Sequence, residues 1–123
     1  MNNPRPINLN LFTIHLPIAG LMSIAHRISG FFIFILTPWL IYKFELSLRS
    51  NLDFQQAIDI SPFSSKLLLI MISWAISHHL LAGIRYLFLD ADIGFDKPFY
   101  RWSALLVLTG GVLIALLTAV LIL

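Results

Sequence analysis

Cysteine is absent from the 123 residues, which excludes disulfides, thiolate metal sites and a cysteine nucleophile. Charge is scarce as well. Asp, Glu, Lys and Arg make up 11% of the chain, against about a quarter in a water-soluble domain. So few charges cannot cover a globule of this length. That shortage excludes a soluble enzyme, a disordered chain and a free-standing nucleic-acid binder. There is no basic run, and eight Lys and Arg against six Asp and Glu leave a net charge of only +2. Such an excess speaks to orientation in a membrane and not to nucleic acid. Internal repeats, low-complexity tracts and a GxxxG pair are also missing.

What fills the chain is apolar: 59% of it is hydrophobic. A membrane-spanning helix needs about 20 mostly apolar residues. Three stretches qualify, at about 21–43, 65–89 and 102–123, and with short tails and loops they leave no room for a separate soluble domain. The expected fold is therefore an all-α integral membrane protein with three transmembrane helices, a single membrane-anchor domain over residues 1–123. Residues 1–16 read as a polar arm, because Pro4 and Pro6 disfavour helix there. The arm lacks the apolar core and small-residue cleavage site of a secretory signal. Pro17 suits a first helical turn, and Pro38 predicts a kink within the first span. Ser61 and Pro62 form a start signal for the second span after a polar connection over 43–64. Trp102 opens the third, which carries no charge, and its Gly110 and Gly111 permit close helix approach.

Cations set the orientation. Arg5, Arg27, Arg85, Lys97 and Arg101 fall on one side, and Lys43, Arg49 and Lys66 on the other. The positive-inside rule then puts the N-terminus in the cytoplasm and the C-terminus outside. Ser23 to Ser29 open span one and His78 to Tyr86 close span two, so both polar clusters are expected at the inner side.

Ionisable groups within a span cost about 2.5–3.5 kcal/mol each at mid-helix, so these clusters are candidates for function. Ser23 and Arg27 stand four apart on one helix face. There they can donate hydrogen bonds to a carbonyl oxygen such as that of a quinone headgroup. The plainer alternative has Ser23 bonding back to its own helix and Arg27 meeting lipid phosphate. His26, beside them, can donate to a cofactor carboxylate or sit at the interface on backbone or water. His78 and His79 are adjacent and point about 100° apart, so they cannot share one metal. A b-type haem asks only one imidazole per helix. His79 is the better ligand on geometry, because Gly83 one turn later leaves a flat surface, whereas His78 is followed by Ala82. Asp90, Asp92 and Asp96 are spaced superficially like a calcium loop, but the glutamate at its twelfth position is missing and Gly94 is misplaced, so a solvated loop is expected; Asp90 is placed to hold Arg85 or the helix end.

Four stretches then match a known pattern: Arg5-Pro6-Ile7-Asn8-Leu9; Ser23-Ile24-Ala25-His26-Arg27-Ile28-Ser29-Gly30; His79-Leu80-Leu81-Ala82-Gly83-Ile84-Arg85; and Asp90. In this order and depth they resemble the cytochrome b membrane anchors of succinate dehydrogenase, respiratory complex II. The resemblance covers nearly the whole chain. It implies one half of a heterodimeric helical bundle in the bacterial inner membrane. It also implies a second membrane-anchor subunit, an iron–sulfur subunit and a flavoprotein subunit as partners. By the same resemblance Ser23 and Arg27 are quinone-site residues, and His79 is the axial ligand of haem b, its counterpart coming from the second anchor. His26 and Arg27 lie near the haem propionates, and Arg85 lines the cytoplasmic end of the haem pocket. Tyr86 departs from the pattern, standing where many members have histidine. A phenol donates one hydrogen bond but carries no positive charge. The implied activity is electron transfer from the iron–sulfur subunit to ubiquinone. A small transporter subunit and a cofactor-free structural anchor are the competing readings.

Overall fold

The computed structural model describes residues 15–59 and 62–123. The Arg5–Leu9 motif and Ser61 therefore lie outside the described residues. Four helices follow in order: α1 (Ile18–Ser47), α2 (Asn51–Ile58), α3 (Phe63–Asp90) and α4 (Lys97–Ile122). Three of them, α1, α3 and α4, are long and apolar enough to cross a membrane. The chain is thus an all-α, multi-pass membrane protein. Pro17 and Pro62 occupy the positions just before α1 and α3, and Pro98 lies in the first turn of α4. A missing N–H costs nothing at such places. Pro38 sits inside α1 without ending it.

α4 begins at Lys97, earlier than the apolar run that opens at Trp102. The polar connection between the first two spans carries a short helix, α2, that hydropathy does not reveal. Ser50 caps it: its hydroxyl accepts from the Asp53 N–H at 3.1 Å and donates to the Asp53 carboxylate at 2.8 Å. This is a capping arrangement with Asp in the reciprocal place. At the other end of α3, Asp92 takes a left-handed conformation, φ 59°. Its N–H bonds the Leu89 carbonyl, and the Ile93 N–H reaches back to Phe88. These two bonds make a Schellman stop, with Ile93 and Phe88 as its apolar pair.

α3 is the middle helix. Its buried residues Ala75, His78, Ala82, Arg85 and Leu89 recur every three or four positions, against Met22 and Ser29 in α1 and Ala104, Val107 and Gly111 in α4. Half of these ten residues are glycine, alanine or serine. Lipid tails are as apolar as leucine, so helices in a membrane associate by close packing, and small residues permit it. Met22, Ala82, Ala104 and Val107 form the shared core of all three spans. The large apolar side chains mostly face outward, Phe34 at 77% and Val120 at 81% exposure among them. In water that would be a fault; in hydrocarbon it is the stable arrangement. Hydroxyls within the spans are tied to carbonyls of their own helix, as with Thr37, Ser77 and Thr118, so few are left unbonded.

Candidate functional site

The start of α1 and the end of α3 pack together, which gathers the two polar clusters into one patch. The His26 and His79 rings stack at 4.2 Å between centroids, 24° from parallel. Tyr86 tilts against His26 at 5.4 Å. Ser29 is completely buried, donates to the His26 carbonyl at 2.8 Å and lies 3.3 Å from His79 Nδ1.

His79 Nδ1 also lies 3.2 Å from the His26 carbonyl. A carbonyl accepts only, so this contact favours the tautomer with the proton on Nδ1. The lone pair is then on Nε2. Nε2 has no partner among the described residues, yet it is not sealed inside the fold, as His26 Nε2 is. Holding one imidazole nitrogen to a main-chain carbonyl while the other faces a metal is how proteins orient histidine ligands. Gly30 makes the approach possible. A Cβ there would stand 2.9 Å from His79 Cε1. At Gly83, one turn along α3, an added Cβ would meet nothing within 4 Å, so the surface beside His79 is open. A flat macrocycle fits such a surface, and a lone imidazole suffices for it. No group of three or more metal-ligating side chains exists among the described residues.

His78 is turned the other way, as the 100° step between neighbours requires. It is wholly buried, stacked on Trp74 at 5.6 Å, with its Cβ 2.9 Å from where a Gly111 Cβ would stand. Neither ring nitrogen has a hydrogen-bond partner among the described residues. His78 therefore packs against α4, out of reach of anything docking beside Gly83.

Ser23 is half-buried and Arg27 exposed. Neither makes a hydrogen bond or ion pair with any described residue, whereas Ser29, Ser73 and Ser77 are tied to their own helix. The back-bonded alternative for Ser23 is thus not what the fold adopts. Arg85 borders this patch, its guanidinium carbon 6.0 Å from the Tyr86 ring centroid, but its hydrogen bonds go to α4. It is 6% exposed, and its Nε donates to Ser103 Oγ at 2.9 Å and its Nη2 to the Tyr100 carbonyl at 3.0 Å. The expected hold of Asp90 on Arg85 is absent: Asp90 is exposed, and the one ion pair among the described residues is Arg49–Glu45. Oxygens of α4 reach the guanidinium first, because Asp90 stands five residues on and points elsewhere on the helix.

The family model for the succinate dehydrogenase/fumarate reductase transmembrane subunit matches residues 1–121. The chain belongs to this family. Among its relatives are proteins named succinate dehydrogenase cytochrome b556 subunit. That of Coxiella burnetii is 36% identical over 85% of each chain. That of Paracoccus denitrificans is 30% identical, and that of Rickettsia conorii 33%, each over 94% of this chain and 90% of the relative. Membership makes the chain a membrane anchor of an electron-transferring complex, with no succinate chemistry of its own, and sets aside the transporter-subunit reading.

Several contacts of the anchor were not legible as site features in the sequence. Gly30 and Gly111 each receive a histidine from α3, and Ser103 and Tyr100 receive Arg85. A glycine in mid-helix is destabilising unless something approaches closely, and that was the available signal for both glycines.

Proposed function

We propose that this anchor binds haem b through His79 and contributes Ser23 and Arg27 to the ubiquinone-reducing site of succinate:ubiquinone oxidoreductase. The observation that carries the haem assignment is the state of His79: Nδ1 tied to the His26 carbonyl, Nε2 open, and bare helix surface at Gly83. Haem b, when bound, supplies a one-electron reservoir close to the quinone. His26, Arg27 and Tyr86 would hold its propionates, with Tyr86 offering a phenol proton where a histidine offers charge. A second membrane-anchor subunit would supply the other iron ligand.

Ubiquinone takes up two electrons and two protons to become ubiquinol. Ser23 and Arg27 make no hydrogen bond with any described residue, and both stand in the first third of α1. They would hydrogen-bond a headgroup carbonyl and favour the negative charge that grows on it as electrons arrive. Arginine stays charged through any nearby proton transfer. The electrons come from the iron–sulfur subunit, which the flavoprotein subunit supplies by oxidising succinate. That delivery requires the Ser23–His79 end to face the cytoplasm, as the cation count also indicates, which leaves the N-terminus cytoplasmic and the C-terminus periplasmic in the bacterial inner membrane.

Reduced-minus-oxidised absorbance of the purified complex tests the haem assignment. A b-type band lost in His79→Ala supports it. A band that survives moves the ligand elsewhere, and a wild-type complex with no band favours a cofactor-free anchor. For the quinone role, Arg27→Ala and Ser23→Ala should impair ubiquinone reduction while succinate still reduces an artificial dye. Equal loss of both activities would indicate an assembly defect instead.

A further inference from the structure

We infer that Arg85 is a positioning residue. By bonding to α4 it fixes the rotation of α3 that presents His79 and Tyr86 to α1, without itself touching haem or quinone. This inference rests on the proposed function above.

A cation within a span must be paired or bonded to be tolerated. All the partners of Arg85 among the described residues that bond it are on α4. Ser103 Oγ and the Tyr100 carbonyl accept from it, and its guanidinium carbon lies 4.6 Å from the Tyr100 ring centroid. Ser103 in turn donates to the Tyr100 carbonyl at 3.1 Å, so its oxygen is oriented to receive the arginine. These two bonds are the side-chain hydrogen bonds that join α3 to α4 among the described residues. Nη1 is buried and unpartnered.

The surroundings agree. Arg85 and Ser103 line an apolar groove of about 650 Å³ between α3 and α4 that contains neither His79 nor Gly83 nor any α1 residue. Arg85 follows His79 by six residues, which places it about 120° away round the helix. Tyr86 follows Arg85 directly and meets His26. A single rotation of α3 therefore satisfies both seams. If Arg85 lets go of α4, the polar contacts left to hold that rotation among the described residues are those of His79 at 3.2 and 3.3 Å. The planar fork matters here, because it serves two acceptors at a fixed angle and an ammonium does not.

The test compares Arg85→Lys, Arg85→Gln and Ser103→Ala in the assembled complex. The readouts are the haem midpoint potential and absorbance of the assembled fraction. We expect the lysine and glutamine variants to shift both alike, and Ser103→Ala to shift them less in the same direction. Lysine restoring the wild-type potential while Ser103→Ala is silent would overturn the inference, because charge beside the haem would then be what counts. Wild-type spectra in every assembled fraction, with only less complex made, would overturn it too. A haem-independent arm uses the cysteine-free background. The pair Met22→Cys and Ala82→Cys, both in the shared core, reports how α3 faces α1. Its disulfide yield should fall several-fold with Arg85→Lys, and an unchanged yield refutes the inference. If the wild-type complex shows no b-type band, the haem proposal fails, and this cross-link still decides the role of Arg85.

Discussion

The two seams of α3 are built from the same kinds of residue to different ends. Toward α1, a histidine meets a glycine, and the imidazole keeps one nitrogen reachable. Toward α4, a histidine again meets a glycine, but the ring is walled in by Trp74 and α4 and both nitrogens are shut away. The arginine of the α1 seam is exposed and unengaged, while the arginine of the α4 seam is buried and bonded. Residue type therefore does not identify the site in this anchor. What separates the seams is whether the polar group stays reachable: both His78 nitrogens are buried without a partner among the described residues, and Arg85 is buried and bonded to α4.

Substitutions can break this contrast, and the largest effect is expected from the adjacent histidines. His79→Ala should abolish the b-type absorbance, and His78→Ala should leave the band while lowering the thermal stability of the complex. If the loss followed His78 instead, the seams would be assigned the wrong way round. Next in size are the two glycines that receive the rings. Gly111→Val places a side chain against the His78 Cα as well as its Cβ, and main chain cannot move aside cheaply. We expect a cost of about 1–3 kcal/mol, typical of overpacking, seen as a lower melting temperature of the complex. Gly30→Ala confronts only the His79 ring, so it should change the haem spectrum more than the melting temperature.

Gly83→Ala sharpens the comparison further. Nothing among the described residues opposes the new methyl group, and alanine favours helix over glycine by about 1 kcal/mol. Stability of the haem-free anchor should hold or rise while haem content falls. A variant with full haem content would show that the macrocycle lies elsewhere. The smallest effect belongs to the far end of the bundle. Breaking the exposed Arg49–Glu45 pair with Glu45→Ala should leave both assembly and quinone reduction unchanged, since exposed pairs contribute little.

Much of the fold was readable from hydropathy and turn chemistry. Three apolar runs specify three spans, and the prolines before α1 and α3 mark where two of them begin. α2 was not readable, because eight residues of mixed polarity carry no period, and the Ser50–Asp53 cap marks only its start. The convergence of Ser23–Ser29 with His78–Tyr86 followed from counting alternate crossings. The destination of Arg85 did not, since sequence spacing gave it a neighbour in Asp90 and no hint of Ser103, which lies on another helix.

The sequence by itself determined that this chain lives in a membrane, crosses it three times and carries one polar layer at one end. Charge scarcity and apolar run length leave no other way to satisfy the backbone. Helix packing settles which polar groups in that layer stay reachable and which are walled in. His79 and His78, or Arg27 and Arg85, are alike in composition and similar in depth. For the two histidines and Arg85 the difference arises from which neighbouring helix each one faces, and that depends on a rotation of α3 set by contacts between residues distant in the chain, whereas Arg27 lies exposed on α1.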